Sequence, residues 1–450
     1  MSSREYLLIA DAVVPLAGGP SAVAAAGLGR ALAASGRKTT ILSLGSNEAA
    51  GAVPGLARRL RTVPTSVGDK TYDLSLYEGR GLLSDARLLV LGVPPLGRAE
   101  TAALLASAVK SLSADALIAP EVVIGWGETT AAALSATAAS VRLFALPTGR
   151  LGPPLSADET RLLGPLLLGD DSASRSLVAL GSLGANAIFA PSPSAARANE
   201  TDPALATRPS DEPFVAVRFG CDDPPHDPAT DGALPANYSA TALTGKADCR
   251  RALARRCSLA LGPRTLLLAV GPLFRDEGAE AILSGLERLA PYDVVTVVAP
   301  RGDQDLVERA RRLAIEHPGR IALLPAADTG DEAANDRFAR AAADAILLGD
   351  DHDQAGRSTG LALLYGTLPL APDTGANRDY LVDYDERSGT GHAILYTRAT
   401  PFEIESAVRR AIAARADGDL WTALVKALFA SAPRWSSTAA AVDELATQSA

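Results

Sequence analysis

The 450 residues exceed what one ordinary core holds; at roughly 150 residues per domain they point to two or three lobes, and two large ones are expected. Hydrophobic residues make up 47% and charged residues 21%, ordinary values for a globular protein that buries substantial apolar surface. A formal charge of −9 supplies no basic field to gather nucleic acid or anionic lipid, so neither is expected as a partner. The opening MSSREYLLIADAVVPLAGG has too short an apolar run for a secretory leader, and no run reaches the roughly 18 apolar residues of a membrane span. Cys221, Cys249 and Cys257 form no CxxC pair and leave an odd thiol if any two were bridged, which implies a reducing cytoplasm. His226, His317, His352 and His392 are scattered without zinc-type spacing, so no metal and no cofactor is expected.

Short apolar runs alternate with Ala- and Leu-rich helical patterns along the chain. YLLIA (6–10), TTILSLG (39–45), RLLVLG (87–92), ALIAPEVV (116–123), VRLFALP (141–147) and AIFAP (187–191) are apolar on both faces, as parallel strands covered by helices on each side must be. The Pro-, Ser- and charge-rich stretch 191–213 reads as an exposed loop before one more strand, FVAVRFG (214–220). DPATDGALPANYSA (227–240) and a helix around 245–257 follow. The alternation then restarts with TLLLAVG (265–271), DVVTVVAP (293–300), RIALLPA (320–326), DAILLG (344–349), TLPLAP (367–372) and HAILYT (392–397). The fold class is α/β: two Rossmann-like, doubly wound parallel-sheet domains, 1–262 and 263–420, followed by a C-terminal helical tail, 421–450. Trp421 and Trp435 lie on Ala-rich faces and are expected to anchor that tail by packing; stacking on sugar rings is the alternative.

The stretch GCDDPPHDPATDGALPANYSATALTGKADCRRAL (220–253) resembles the interdomain segment of bacterial glycogen and plant starch synthases. Asp222, Pro228, Ala229, Thr230, Asp231, Tyr238, Ser239, Gly245 and Lys246 match that pattern, while His226 stands where the family has tryptophan. LGRALAASGRK (28–38), EVVIGWGETTAA (121–132), LLYGTLPLAPDTGANRDYLVDYDERSGTG (363–391) and RWSSTAAAVDEL (434–445) are similar to further family segments, in the family's order. The resemblance implies a GT-B fold, a last helix crossing back onto the first lobe, and retaining transfer of glucose from ADP-glucose to an α-1,4-glucan.

Such a transfer needs cations and helix N-terminal amides for the diphosphate and a carboxylate beside the sugar. The resemblance places these in three motifs, each altered here. The loop after the first strand keeps Gly18 and Gly19 but has no lysine; a strand-to-helix turn in which Ser21 caps the helix accounts for it equally well. At the opening of the second lobe, Pro272 stands at the family's arginine and Glu277 at its lysine, with Arg275 as the nearby substitute cation or a merely solvated one. An anion in place of a cation about 4 Å from a phosphate turns about 4 kcal/mol of attraction into similar repulsion at an effective dielectric near 20. In the third motif Asp353 takes the position of the family's glutamate, Gly356 that of its glycine, Arg357 that of a leucine and Ser358 that of a threonine; Asp350 and Asp351 add negative charge. Thr374 and Gly375 open TGAN, where the family has a TGGL donor loop, and Trp126 takes the place of an active-site histidine on the glucan side. Three charge-assisted contacts at about 1.5–3 kcal/mol each amount to about 5–9 kcal/mol of lost donor binding, or about three to six orders of magnitude in affinity. The expectation is a catalytically impaired or inactive relative with a regulatory or scaffolding role in α-glucan metabolism, partnered by an active glycogen synthase, another glucan enzyme or the α-glucan itself. The alternative is an active retaining transferase that uses Arg275, Arg357 and Asp353.

Overall fold

Runs such as LLLAV (266–270) and VVTVV (294–298) are buried at every position, which places each inside a parallel sheet with both faces covered. The computed structural model describes residues 4–147, 152–164, 176–201, 205, 214–263, 265–327, 330–349 and 355–450. They divide into two units, Met1–Gly220 with Arg434–Ala450, and Cys221–Pro433.

The first unit carries β1 (Glu5–Ala10), β2 (Lys38–Gly45), β3 (Leu56–Val67), β4 (Lys70–Gly92), β5 (Val122–Trp126), β6 (Val141–Ala145), β7 (Ala187–Ala190) and β8 (Phe214–Ala216), in the order β3-β4-β2-β1-β5-β6-β7-β8. All neighbours are parallel except the β3–β4 hairpin. That hairpin was not expected from the strand–helix alternation. Its signal was present: Gly68-Asp69 separates two alternating runs, and Gly68 takes φ 56°, which suits a two-residue hairpin turn. The second unit carries β9 (Leu266–Val270), β10 (Val294–Val298), β11 (Ile321–Leu323), β12 (Ala345–Leu347), β13 (Leu368–Pro372) and β14 (Ile394–Tyr396), all parallel, in the order β11-β10-β9-β12-β13-β14. This is the doubly wound order 3-2-1-4-5-6, whose direction of winding reverses between β9 and β12. The α/β expectation of two doubly wound sheets therefore holds, with the antiparallel β3–β4 hairpin added to the first.

The unit boundary falls at Gly220, not at 262. The helix Thr244–Arg256 is held to the second unit's sheet by Asp344, buried at the start of β12, which accepts from Arg250 Nε (2.9 Å) and from the Leu267 backbone N–H (2.8 Å). The tail also divides later than expected. The helix Gly418–Ser431 belongs to the second unit, where Trp421 is buried with the Arg415 guanidinium 5.5 Å from its ring, and the first unit regains the chain only at Arg434. Trp435 opens the helix Trp435–Gln448 and stacks on Phe219 at 6.1 Å. A Cβ at Gly27 or Gly220 would overlap Trp435, so both glycines allow its close seating. Both tryptophans pack, and neither offers a ring face for a sugar. Among the described residues no helix is long and apolar enough to cross a membrane.

Candidate functional site

Two sets of family-like residues lie in the second unit, and they behave differently. The first is the 222–250 segment. Asp231, 1% exposed, accepts from Tyr365 Oη (2.7 Å) and Arg337 Nε (3.0 Å). Asn237 donates to the carbonyls of Pro228 and Asp231 and closes the loop on itself. Tyr238 Oη donates to the carbonyls of Ala341 (3.0 Å) and Tyr365 (2.9 Å). Lys246 Nζ reaches the carbonyls of Ala341, Ala343 and Tyr365, each at 3.0 Å, and Thr367 Oγ1 at 3.1 Å. These acceptors close the helices Glu332–Ala342 and Arg357–Leu364, whose last carbonyls have no partner within the helix and favour a cation. Burial pushes the Lys246 pKa down to about 8, with Asp344 acting against it. A Cβ at Gly245 would overlap the Asn237 carbonyl, so the Gly-Lys pair serves close approach followed by anchoring.

The second set is the loops at the carboxyl ends of the strands. After β9, Pro272 is exposed, and Leu273 is bridged to the loop after β10: its N–H donates to the Arg301 carbonyl (2.7 Å) and its carbonyl accepts from Asp303 (2.8 Å). Arg275 and Glu277 lie on a single 3-10 turn, Arg275–Glu277, closed by Gly278 in the left-handed region at φ 77°. The Arg275 guanidinium is half-exposed and ion-paired to both Glu280 and Asp305. It is thus surrounded by carboxylates. A Cβ at Gly349 would overlap the Glu277 carbonyl, so the exit of β12 runs against this turn.

Gly356, at φ 64°, is the N-cap of the helix Arg357–Leu364, and Ser358 follows in its first turn. Arg357 grips buried Asp223 with both terminal nitrogens, at 3.0 and 3.1 Å, and His226 Nδ1 lies 3.2 Å from the same carboxylate. Burial acts to raise the Asp223 pKa, but the bonds from His226 and Arg357 outweigh it and hold it at about 2. Thr374 and Gly375 open the short helix Gly375–Tyr380 after β13, and Ala376 of that turn lies against Gly356. Four of the predicted positions, Pro272, Glu277, Gly356 and Gly375, therefore do sit on strand-end loops of one sheet. The two substitute cations are already paired. Asp353, with Asp350 and Asp351, lies outside the described residues.

In the first unit Gly19 takes φ 109° as N-cap of the helix Pro20–Ala34, with Gly18 before it, and no side chain caps that helix. Ser21 is not the cap: it lies inside the first turn and its Oγ accepts from Trp126 Nε1 at 3.2 Å. Trp126 is 1% exposed, between Phe189 and Phe219 at 6.3 and 5.1 Å, and so is a core residue and presents nothing to a glucan. Beside it, Glu128 accepts from the Gly152 backbone; burial raises its pKa despite Arg98 nearby.

Two arginines at the strand ends escaped the sequence reading. Arg301, directly after β10, is ion-paired to Asp336, and Arg340, in the helix Glu332–Ala342, lines the same cavity beside Gly271 and Pro272. Arg301 carried a signal, since residues just beyond a parallel strand's carboxyl end face the ligand side of such sheets. Arg340 carried none; its position depends on how the helix is rotated.

No family model matches the chain. A glycogen synthase of Anaeromyxobacter sp. (strain Fw109-5) is 35% identical over 229 residues, 50% of this chain and 47% of that protein. A glycogen synthase of Lacticaseibacillus casei (strain BL23) is 32% identical over 184 residues, 41% of this chain and 37% of that protein. In structure the chain is similar to the catalytic domain of starch synthase IV from Arabidopsis thaliana, solved with ADP and acarbose, with a TM-score of 0.80 at 18% identity, covering 100% of this chain and 99% of that one. The chain has the GT-B fold and is a homologue of the bacterial glycogen synthases. The same fold recurs in sucrose-phosphate synthase from Thermosynechococcus elongatus, at a TM-score of 0.60, 14% identity and 99% coverage of this chain. The sequence match spans about half the length of the curated glycogen synthases. Of the residues in the 222–250 segment that match the pattern, Asp231, Tyr238 and Lys246 are buried anchors, while Ala229 and Thr230 are exposed.

Proposed function

We propose that this protein is a glycogen/starch synthase-like GT-B homologue that does not hold a nucleotide sugar's diphosphate and acts as a cytoplasmic regulatory or scaffolding companion in α-glucan metabolism. One observation carries the reading: the two cations nearest the altered motif positions in sequence are already paired, Arg275 with Glu280 and Asp305, Arg357 with buried Asp223. Freeing Arg357 for a phosphate would break its two-point pair with buried Asp223, a loss of about 3–5 kcal/mol that a single new contact does not recover. Glu277 adds an anion where the family pattern has a lysine. Partners fitting this role are an active glucan synthase, another glucan enzyme, or the glucan.

Calorimetric titration with ADP and ADP-glucose, together with transfer of labelled glucose to glycogen, tests the reading. Neither heat of binding nor incorporation is expected. Micromolar ADP binding or measurable incorporation would instead establish the active retaining transferase. Co-purification from the source cell is expected to recover a glucan enzyme or glucan, and recovery of neither would remove the companion role.

A further inference from the structure

The helix Glu332–Ala342 borders two separate spaces. Its Asp336, Ala339 and Arg340 line the cavity beside Gly271 and Pro272 at the strand ends. At about 3.6 residues per turn, Ala334, Asn335 and Phe338 lie on the opposite side of the helix, where they wall a groove of about 490 Å³ with the loop that carries Pro225, Asp231 and Gly232. That volume falls within the roughly 300–1,000 Å³ of small-molecule sites. The helix therefore separates the groove from the site described above.

The ionisable side chains on its wall are Asp231, Arg256, Asp331 and Arg337, two of each sign, so the groove holds no net charge to favour an anion. Its donors are fixed from inside the protein. Buried Asp231 accepts from the Tyr365 hydroxyl (2.7 Å), the Ala233 N–H (2.9 Å) and Arg337 Nε (3.0 Å), and it holds a guanidinium whose side chain is 12% exposed. Arg337 makes no other hydrogen bond among the described residues, and its terminal nitrogens are not closed off from solvent. Arg256, by contrast, donates through its terminal nitrogens to Asn335 Oδ1 (2.9 Å) and the Ala326 carbonyl (2.7 Å), which ties down the turn before the helix. Asp331 is exposed and caps the helix at the Ala334 N–H (2.9 Å); a carboxylate accepts more than one donor. A Cβ at Gly232 would meet no atom within 4 Å, so the loop backbone faces open space there.

We propose that this groove binds a neutral, hydroxyl-rich ligand, a short α-glucan chain. Arg337 donates to its hydroxyls, Asp331 accepts from them, and Pro225, Ala233 and Ala334 meet the apolar C–H faces of the sugar rings. A sugar presents donors, acceptors and apolar faces together, which suits a wall of balanced charge better than a phosphate does. Donors held in place before binding lose little freedom when the ligand arrives. The choice of an α-glucan among sugars rests on the proposed role in α-glucan metabolism; the groove itself does not.

The test titrates the full chain calorimetrically with maltohexaose, cellotetraose and inorganic phosphate, and measures its retardation in native gels cast with glycogen. Saturable one-to-one binding of maltohexaose and retardation by glycogen are expected, with no heat from the other two. Gly232→Leu fills the groove without touching the buried pairs, and is expected to weaken maltohexaose binding about tenfold or more at unchanged Tm. Arg337→Lys keeps a charge for Asp231 but loses the terminal amino groups, and is expected to weaken binding about threefold to tenfold. Arg311→Ala, on an exposed helix face, is expected to change nothing. Absence of saturable maltohexaose binding overturns the site, and so does undiminished binding by folded Gly232→Leu, which would place the sugar on another surface. Equal binding of cellotetraose overturns the assignment to an α-glucan, and tighter binding of phosphate overturns the neutral ligand. ADP binding and glucose incorporation test the proposed function separately, so a failure of one reading is distinguishable from a failure of the other.

Discussion

The 222–250 segment and the strand-end loops lie in one unit and resemble one family pattern, and they follow it unequally. In the segment Asp231, Tyr238 and Lys246 meet protein from buried positions, bonding the Tyr365 hydroxyl and carbonyls at the ends of two helices, while the matching Ala229 and Thr230 are exposed. In the loops the altered positions are exposed or lie on turns, and the cations near them pair with acids at the surface or, for Arg357, with an acid from that same segment. Groups whose partners are other parts of the chain are held by folding itself. Groups whose partner would be a ligand are held only by the need for that ligand.

The contrast is most exposed to test at Lys246. Lys246→Met removes a charged donor from the carbonyls of Ala341, Ala343 and Tyr365 in a buried site, although Tyr238 still donates to the first and last, and a loss of about 3 kcal/mol or more is expected in urea unfolding. A loss under about 1 kcal/mol would show that the segment is not the anchor described. On the loop side, Pro272→Arg with Glu277→Lys restores two cations; ADP affinity is expected to rise by about 3 kcal/mol or more, roughly a hundredfold. Native-like stability with no gain in ADP binding would show that these two positions do not face a diphosphate.

Asp223 gives a smaller effect with a defined pH window. Its folded pKa is near 2 against an ordinary 3.8, so its contribution is complete above about pH 4 and is lost as pH falls from there towards 2. The shift corresponds to about 2 kcal/mol. Asp223→Asn is expected to remove this part of the acid dependence in pH-resolved unfolding, and an unchanged slope below pH 4 would count against the Arg357 and His226 pairing. The smallest effect belongs to Arg275→Ala. Its side chain is 51% exposed, and solvent-screened pairs of this kind contribute at most about 1 kcal/mol. Thermal unfolding is expected to move by no more than about 0.5 kcal/mol.

Much of this was legible beforehand. The both-face-apolar runs located most strands of the two parallel sheets, because burial on two sides leaves a one-dimensional signature. They missed the β3–β4 hairpin, whose long strands sit where a helix was expected, although Gly68-Asp69 marked its turn. The boundary at Gly220 was not legible, because it depends on Arg250 finding Asp344, 94 positions along the chain.

The amino-acid order alone determined the two-sheet architecture, the family resemblance of the 222–250 segment, and the lack of a cation at 272 and 277, because each is a property of residue type in a local pattern. Tertiary structure alone decided that Arg275 and Arg357 already have acidic partners, that Trp126 is core, and that Arg340 and Arg301 line one cavity. Charge at a position is written in the sequence. Whether that charge is available depends on which distant groups folding brings within hydrogen-bond reach.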